Sequence, residues 1–502
     1  MSVINSNNIN IIIYKYKLIG EILKLYNSLS RDMEELIPLN DRKINMFVCG
    51  QTVYDDAHIG HAKTYINFDV IVRWLRFKGY EVKYVQNITD VDDKIIKRAR
   101  ENGISPIELA REYENKLMED MDSIGVKNNV SVYPRSHDYI EQIREQIQLL
   151  IEGGYAYAID GDIYYNVSKF GDYTKLSGMS LNELKEHRIE PKEGKINVYD
   201  FALWKSSKLD EPSWDITLNI GGKNEVFKGR PGWHIEDTAM TATIFGPQYD
   251  IHGGAKELMF PHHTNEIAQA EAAFNKKPFV KYWLHSGVLN IKGEKMSKSL
   301  KNFITIRDVV KKYGAEALRL MVESTHYRKD IDFDVKLLEE AANRLSVMYT
   351  ALSMFYNMES GTNNESKLLL QRIEEYKKEF GEAMDNDFNT PLALSRISAM
   401  LDEIRNFSEK NNKVGTDEKN KILNIVGEVG RVIGILDKDF YKKTITEELK
   451  GLIEKRANFR KEGKFGEADA IRDKLNELDI GIEDRDGQPI WYWKYVSASI
   501  DF

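Results

Sequence analysis

The sequence predicts an α/β protein: a parallel-sheet domain split by an inserted connective region, then an α-helical bundle and a small C-terminal domain. Three observations carry this. The apolar run Ile44 to Val48 has the composition of a strand buried on both faces; a helical pattern from about Thr64 to Phe77 and another apolar run, Val82 to Ile88, follow it. Such a unit closes right-handed into a parallel sheet. From about Tyr155 to Phe227 the pattern changes to short alternating strands with glycine turns, and strand, loop and helix spacing returns from Gly229 to Ser299. Beyond Ile304 the spacing is helical almost to residue 440, with polar breaks at Glu359 to Glu365 and Lys410 to Lys419.

In chain order, Thr89-Asp90-Val91-Asp92-Asp93-Lys94 is a carboxylate-rich turn opening a helix. Ser105-Pro106-Ile107-Glu108 starts a longer one, with a capping box and proline at the first helical position. Tyr155 to Val167 and Val198 to Trp204 are strands of the insertion, and Tyr249 to His252 and Trp283 to Leu289 are strands of the returning sheet. A last helix pair, roughly Thr446 to Glu477, ends in Gly481 and the aromatic tail Trp491-Tyr492-Trp493.

The chain has 502 residues, enough for several domains, with ordinary hydrophobic (42%) and charged (30%) fractions. It has no apolar run of the ~18 residues that a membrane span needs. The single cysteine, Cys49, excludes a disulfide within the chain and suits a reducing cytoplasm. A formal charge of -8 argues against wholesale wrapping by nucleic acid but not against a local basic face such as Lys450, Lys455, Arg456, Arg460, Lys461 and Lys464. Of ten histidines, seven (58, 61, 234, 252, 262, 263 and 285) fall in the two stretches that build the sheet.

His58-Ile59-Gly60-His61 follows the first strand, and Lys295-Met296-Ser297-Lys298-Ser299 lies far along the chain; together they read as the two halves of an ATP site that activates carboxylates as adenylates. Neither a Walker lysine loop nor a G-x-G-x-x-G turn occurs. Where such a strand ends, backbone amides and the positive end of the next helix face a bound anion. His58 and His61 can donate to phosphate oxygens as charge builds, and Lys295 and Lys298 can neutralise departing pyrophosphate. Each segment alone reads equally as a helix cap or a lysine-coated loop.

Cys49 ends the first strand and faces the same crevice. His262 and Glu266 are spaced i, i+4 on a helix face, and Asp237 follows Gly232-Trp233-His234-Ile235-Glu236. That spacing lets two side chains reach one cation, although Pro261-His262-His263 is also readable as a helix start with buried histidines.

Met46-Phe47-Val48-Cys49-Gly50-Gln51-Thr52-Val53-Tyr54-Asp55, His58 to His61, Asn87 to Lys94, Gly232 to Glu236, Asp250-Ile251-His252-Gly253-Gly254, Met259 to Glu266 and Lys295 to Ser299 resemble cysteinyl-tRNA synthetase, a class I aminoacyl-tRNA synthetase. The similarity runs from about Leu23 to Trp491. It implies a Rossmann-like catalytic domain in two halves (23–154 and 229–303, the second with the lysine loop) around the connective insertion 155–228. An extension, 1–22, precedes them; stem-contact helices (304–357), a helical bundle (358–442) and an anticodon-binding domain (443–502) follow. It also implies ATP with Mg²⁺, L-cysteine and tRNA(Cys) as substrates, a monomer, and ATP contacts from His58, His61, Lys295, Ser297 and Lys298.

The family holds zinc with two cysteines, a histidine and a glutamate, which become Cys49, Asp237, His262 and Glu266 here. Asp237 departs from the pattern. It preserves the negative charge of a thiolate while replacing a soft donor by a hard one, so a divalent metal is expected, zinc first, with manganese or another oxygen-tolerant ion admitted. Such a cation would tell cysteine from serine, which differs by one atom and which shape alone separates by only a few kcal/mol. Cys49, Gly50, Thr89 and Trp233 would then contact the amino acid.

At the C-terminus the resemblance places Arg460, Phe465, Asp469, Arg472 and Asp484 on the anticodon, with Phe465 where tryptophan is common. Arginine forks read guanine edges and a ring stacks on an unpaired base. Without the resemblance this is an amphipathic helix pair with a solvated basic face. Two rivals remain at this stage: a ligase passing cysteinyl-adenylate to a small amine, against which residues 330–502 argue, and an inactive RNA-binding paralogue, against which the intact histidine and lysine motifs argue.

Overall fold

The computed structural model describes residues 22–179, 193–295, 303–443, 445–485 and 488–495. They divide into two compact units, the first within Met1–Asn290, Met296–Ile306 and Tyr327–Ile331, the second within Ile291–Lys295, Arg307–His326 and Asp332–Phe502.

The first unit is built on four parallel strands. Strand β1 (Lys43–Val48) leads through helix α1 (Ile59–Phe77) to β2 (Glu81–Gln86). After the insertion, α2 (Ile235–Phe245) leads to β3 (Tyr249–Ala255), and α3 (Thr264–Phe274) to β4 (Val280–Ser286). The sheet order is β4-β3-β1-β2, so β1 and β3 are central, with Phe47 beside His252 and Val48 beside Gly253. Ile44, Met46, Phe47 and Val48 are fully buried, as a strand covered on both faces requires. Gly253 is needed for close approach: a Cβ there would lie 2.4 Å from the ring of Phe68 on α1.

The insertion forms its own antiparallel five-stranded sheet from Ala156–Ile159, Asp162–Tyr165, Phe201–Ser206, Trp214–Ile220 and Lys223–Pro231. Its long hairpin, Trp214 to Pro231, lies beyond the two strands expected there. Helix α1 starts at Ile59, where His58 caps it, rather than near Thr64; Ile59 and Ala62 to Tyr65 are all buried, so no amphipathic stripe marks the start. Asp92 caps the helix Asp93–Asn102, and Ser105 with Glu108 forms the expected capping box on Pro106–Ser123.

In the second unit, helices Val335–Asn357, Glu365–Asp385, Thr390–Lys410 and Thr416–Ile433 make the bundle. A further break, at Asn386 to Asn389, separates two of them. The C-terminal module is the helix pair α4 (Glu447–Lys461) and α5 (Phe465–Asn476) with the hairpin β5 (Ile480–Arg485) and β6 (Gln488–Trp493). Ile453, Leu475, Ile480, Trp491 and Trp493 share its small core, which places the aromatic tail in a strand. Among the described residues no helix is long and apolar enough to cross a membrane.

Candidate active site

The strand ends bring the chemistry together. Cys49 follows β1, Asn87 and Thr89 follow β2, His252 lies in β3 and His285 in β4, all towards the carboxyl edge where parallel sheets bind ligands.

His58 caps α1. Its Nδ1 accepts from the Gly60 amide at 3.1 Å, and Nδ1 of His61 accepts from the His58 amide at 3.3 Å. The two rings stack at 3.8 Å. Because both Nδ1 atoms act as acceptors, each neutral ring carries its hydrogen on Nε2, and the cap presents two imidazole N–H groups at a positive helix end. Helix capping and phosphate donation are therefore compatible here. Following the lysine motif, Phe303 packs edge-on against His58 and the Ile304 carbonyl accepts from the Ile59 amide at 3.1 Å. Ser297, Lys298 and the Lys295 side chain lie outside the described residues.

The second cluster is buried. Cys49 is 6% exposed, and Asp237, His262 and Glu266 no more than 1%. Each offers one ligand atom, and the four atoms lie within 4.8 Å of one another. Cys49 Sγ is 3.7 Å from Asp237 Oδ2, and His262 Nε2 is 2.9 Å from the same oxygen and 3.1 Å from Glu266 Oε1. His262 lies in the wide-turn segment Met259–His263, in which only Phe260 is extended and which runs directly into α3, so His262 and Glu266 stand i, i+4 as the spacing predicts. Trp233, 38% exposed, stacks on the His262 ring at 4.2 Å.

Behind the four stand residues that spacing did not reveal. Asn87 Nδ2 donates to Asp237 Oδ1 at 2.6 Å, and Asn87 Oδ1 accepts from the Gly50 amide at 2.6 Å. Thr89 Oγ1 donates to Glu236 Oε1 at 2.6 Å. His234 Nδ1 lies 2.9 Å from His262 Nδ1, fixing that ring. Gly50 admits no side chain, since a Cβ would sit 1.7 Å from the Asn87 carbonyl oxygen. Gly50→Ala is expected to displace Asn87 and weaken divalent-metal binding by about 10–100-fold, the usual effect of disturbing an outer hydrogen-bond partner; metal titration of the purified variant checks this.

Burial pushes the Cys49 thiol well up, reinforced by the charges of Glu266 and Asp237. Burial likewise raises Glu266 and Glu236, and beside each the charge of Asp237 adds to it. It lowers His234, His252 and His263, and takes His285 down to about 3. Among the described residues no lysine or arginine pairs with Glu236 or Glu266, and both oxygens of Glu266 accept no hydrogen bond. One sulfur, one imidazole and two carboxylates, dry and convergent, fit a divalent cation, whose charge would invert this preference for neutral forms.

In the C-terminal module, Asp484 accepts a bidentate pair from the buried Arg456 at 2.7 and 2.6 Å and lies 3.3 Å from Arg460 Nε. Arg456 holds its carboxyl below the usual range. The Arg460 guanidinium lies 5.8 Å from the ring of Phe465, which is 59% exposed, and Arg472 pairs with Asp469 at 3.2 Å. Of the five residues expected at the anticodon, Asp484 is thus engaged within the protein and orients Arg460. Asp484→Asn would leave the buried Arg456 without its counter-charge, lowering stability by about 2 kcal/mol, a figure reduced because the carboxylate is partly exposed; urea unfolding measures it.

The fold, with a histidine-capped helix after the first strand of a parallel sheet and a buried ligand cluster at its carboxyl edge, is that of class I aminoacyl-tRNA synthetases. Its solved relatives share the fold: Mycobacterium tuberculosis methionyl-tRNA synthetase with methionyl-adenylate (TM-score 0.55, 16% identity, 78% of this chain and 89% of that one) and an Agrobacterium radiobacter K84 LeuRS–tRNA–LeuAMS complex (TM-score 0.57, 10% identity, 78% and 84%). Residues 35–343 match the class I (C) tRNA synthetase catalytic domain, 379–437 the DALR domain and 443–491 the cysteinyl-tRNA ligase anticodon-binding domain. The chain is 42% identical over 480 residues to the cysteine–tRNA ligase of Thermococcus gammatolerans and 43% identical over 484 residues to that of Pyrococcus abyssi, each alignment covering 93% of this chain and 98% of the relative. It belongs to the cysteine–tRNA ligase family of class I aminoacyl-tRNA synthetases, and is an enzyme of that kind.

Proposed function

We propose that the chain activates L-cysteine with ATP and Mg²⁺ to cysteinyl-adenylate and transfers the cysteinyl group to the 3′ end of tRNA(Cys), choosing cysteine through a buried divalent cation. The observation that carries the choice is the convergence of Cys49, Asp237, His262 and Glu266, with both Glu266 oxygens lacking hydrogen-bond donors.

When bound, the cation supplies an affinity for sulfur that a hydroxyl does not match, since a thiol of reference pKa about 8.5 ionises on coordination and an alcohol does not. The protein does the rest by position. In this reading Cys49 and Glu266 hold the cation, and His262 is fixed between His234 and Trp233, the latter covering the amino acid. Thr89, whose hydroxyl donates to Glu236, would receive the amino acid's polar end. The Nε2–H groups of His58 and His61 are aimed by their Nδ1 contacts, and so donate to phosphate oxygens without reorganising as charge develops there. Holding carboxylate and nucleotide in line provides the remaining rate, as no covalent enzyme intermediate is needed. By the sequence reading, Lys295 and Lys298 supply the positive charge that neutralises departing pyrophosphate.

Residues 443–502 read the anticodon in this account, with Arg460 on a base edge and Phe465 stacking. Arg460→Ala is expected to lower kcat/KM for tRNA charging by about 10–100-fold, the cost of one base contact. Cysteine-dependent exchange between ATP and pyrophosphate should remain unchanged. Equal loss of both activities would contradict the assignment.

A further inference from the structure

A cavity of about 230 Å³ is lined by the hairpin Lys24–Asn27 and Asp32–Glu35, by the insertion near Gly178 and by Met259 of the wide turn. It brings together a cation, Arg31, two hydroxyl residues, Ser28 and Ser177, and the aromatic and apolar side chains of Tyr26, Leu176 and Met259. None of these belongs to the His58 motif, the lysine motif or the ligand cluster. The Arg328 guanidinium, 4.3 Å from the Tyr26 ring, adds positive charge beside it.

Arg31 occupies the hairpin turn with φ of 62°, a left-handed conformation that glycine adopts freely and arginine does not. Its amide donates to the Asn27 carbonyl at 2.7 Å, which fixes the turn. Glu34, the acid nearby, accepts from Asn27 Nδ2 at 3.1 Å and from the Ser30 hydroxyl. Among the described residues the Arg31 guanidinium has neither an ion pair nor a hydrogen bond. It lies against Gly178, where a Cβ would come within 1.7 Å of its Nη2. A strained backbone that presents an unpaired cation to a cavity is the signature of a ligand contact.

The far wall is anchored to α3, the helix that carries Glu266. The Tyr173 hydroxyl donates to Asn265 Oδ1, and Lys175 Nζ donates to both Glu271 oxygens at 2.9 and 2.8 Å. Ser28 connects the cavity to the ligand cluster: its Oγ lies 2.8 Å from His285 Nδ1, His285 Nε2 lies 2.8 Å from His263 Nδ1, and His263 Nε2 lies 3.2 Å from the Cys49 sulfur.

We propose that this cavity receives the 3′-terminal nucleotide of the acceptor RNA, with Arg31 on its phosphate. A nucleotide asks for a cation, for hydroxyl partners to its ribose and for an aromatic or apolar face against its base, and the lining offers all three. The reaction uses two nucleotides. ATP has its phosphate donors at the cap of α1, which leaves the RNA terminus for the cavity. Seated there, the terminal ribose hydroxyl attacks the carbonyl carbon of cysteinyl-adenylate: its oxygen forms the ester bond, the bond from that carbon to the phosphate oxygen breaks, AMP leaves with the electron pair, and the hydroxyl proton passes to the AMP phosphate. The inference rests on the reading that the chain charges tRNA(Cys) and goes further in naming a subsite for the RNA end.

The test uses the full chain with Arg31→Ala, Arg31→Lys and Arg31→Gly. Single-turnover transfer from preformed cysteinyl-adenylate to tRNA(Cys) is expected to fall at least ~10-fold in Arg31→Ala and to recover in part in Arg31→Lys, which restores the charge but not the fork. Cysteine-dependent pyrophosphate exchange and the KM for ATP should hold. The dependence of log affinity for tRNA on log salt should lose about 0.7 in slope, one single-strand phosphate contact. A tRNA lacking its terminal nucleotide should bind the unmodified protein and Arg31→Ala alike. Arg31→Gly, which relieves the left-handed turn, should unfold at no lower temperature than the unmodified protein while transferring as poorly as Arg31→Ala. A raised KM for ATP would give the cavity to ATP, and unchanged transfer, or equal weakening of the shortened tRNA, would also overturn the assignment, each leaving the ligase reading intact. Unmodified protein that charges no tRNA(Cys) would overturn both.

Discussion

Cys49→Ser is expected to cut cysteine-dependent ATP–pyrophosphate exchange by about 10²-fold or more, with the loss in divalent-metal content measured on the same preparation. The substitution is nearly isosteric, and its hydroxyl can still meet the imidazoles of His252 and His263, so the packed strand end should persist. What disappears is the only sulfur among the buried ligand atoms of the described residues, and the ligand set depends on it. The thiol's position is fixed by the sheet: the Cys49 amide donates to the Gly253 carbonyl at 3.1 Å, so the sulfur cannot retreat from the crevice without breaking the ladder. Exchange at an undiminished rate in this variant would remove the cluster from the reaction.

His58→Asn is the second large effect. Asparagine is among the best residues at a helix N-cap, so α1 should still start at Ile59 and stability should change little. The variant loses the Nε2–H that His58 aims by accepting from Gly60 through Nδ1. Removing one preorganised donor to developing charge costs about 10²–10³-fold in kcat. The KM for cysteine should hold, since His58 acts on phosphate oxygens rather than on the amino acid. Pre-steady-state adenylate formation separates the two constants. A change confined to KM would assign His58 to binding alone.

The parallel sheet was legible because its central strands are apolar on both faces, and the His58 motif because a strand precedes it and a helix follows. The start of α1 was not, since Ile59, Ala62, Lys63 and Thr64 are all buried and histidine is an unusual cap. The break at Asn386 to Asn389 had a readable signal in Asn389 and Pro391, a cap and a proline at the start of a helix, which the continuous helical spacing obscured. Within the site, Cys49, Asp237, His262 and Glu266 came from resemblance, and the structure brings their ligand atoms together. Asn87 opened one of the family-like motifs without an assigned role: it joins Gly50 to Asp237 across 37 and 150 residues, a link that exists only in the fold. His252 and His263 stood within two of the family-like motifs and in the histidine excess, with no role of their own assigned. Arg456 read as one member of a basic patch, yet it is 1% exposed and paired with Asp484, because a helix face looks charged in sequence whether it meets water or a carboxylate.

The most direct measurement compares cysteine- and serine-dependent pyrophosphate exchange in protein stripped of metal and in the same protein reloaded with one equivalent of zinc or manganese. The account predicts that cysteine activation is lost on stripping and returns on reloading, with serine inactive throughout. Stripped protein that still activates cysteine and still rejects serine would contradict it.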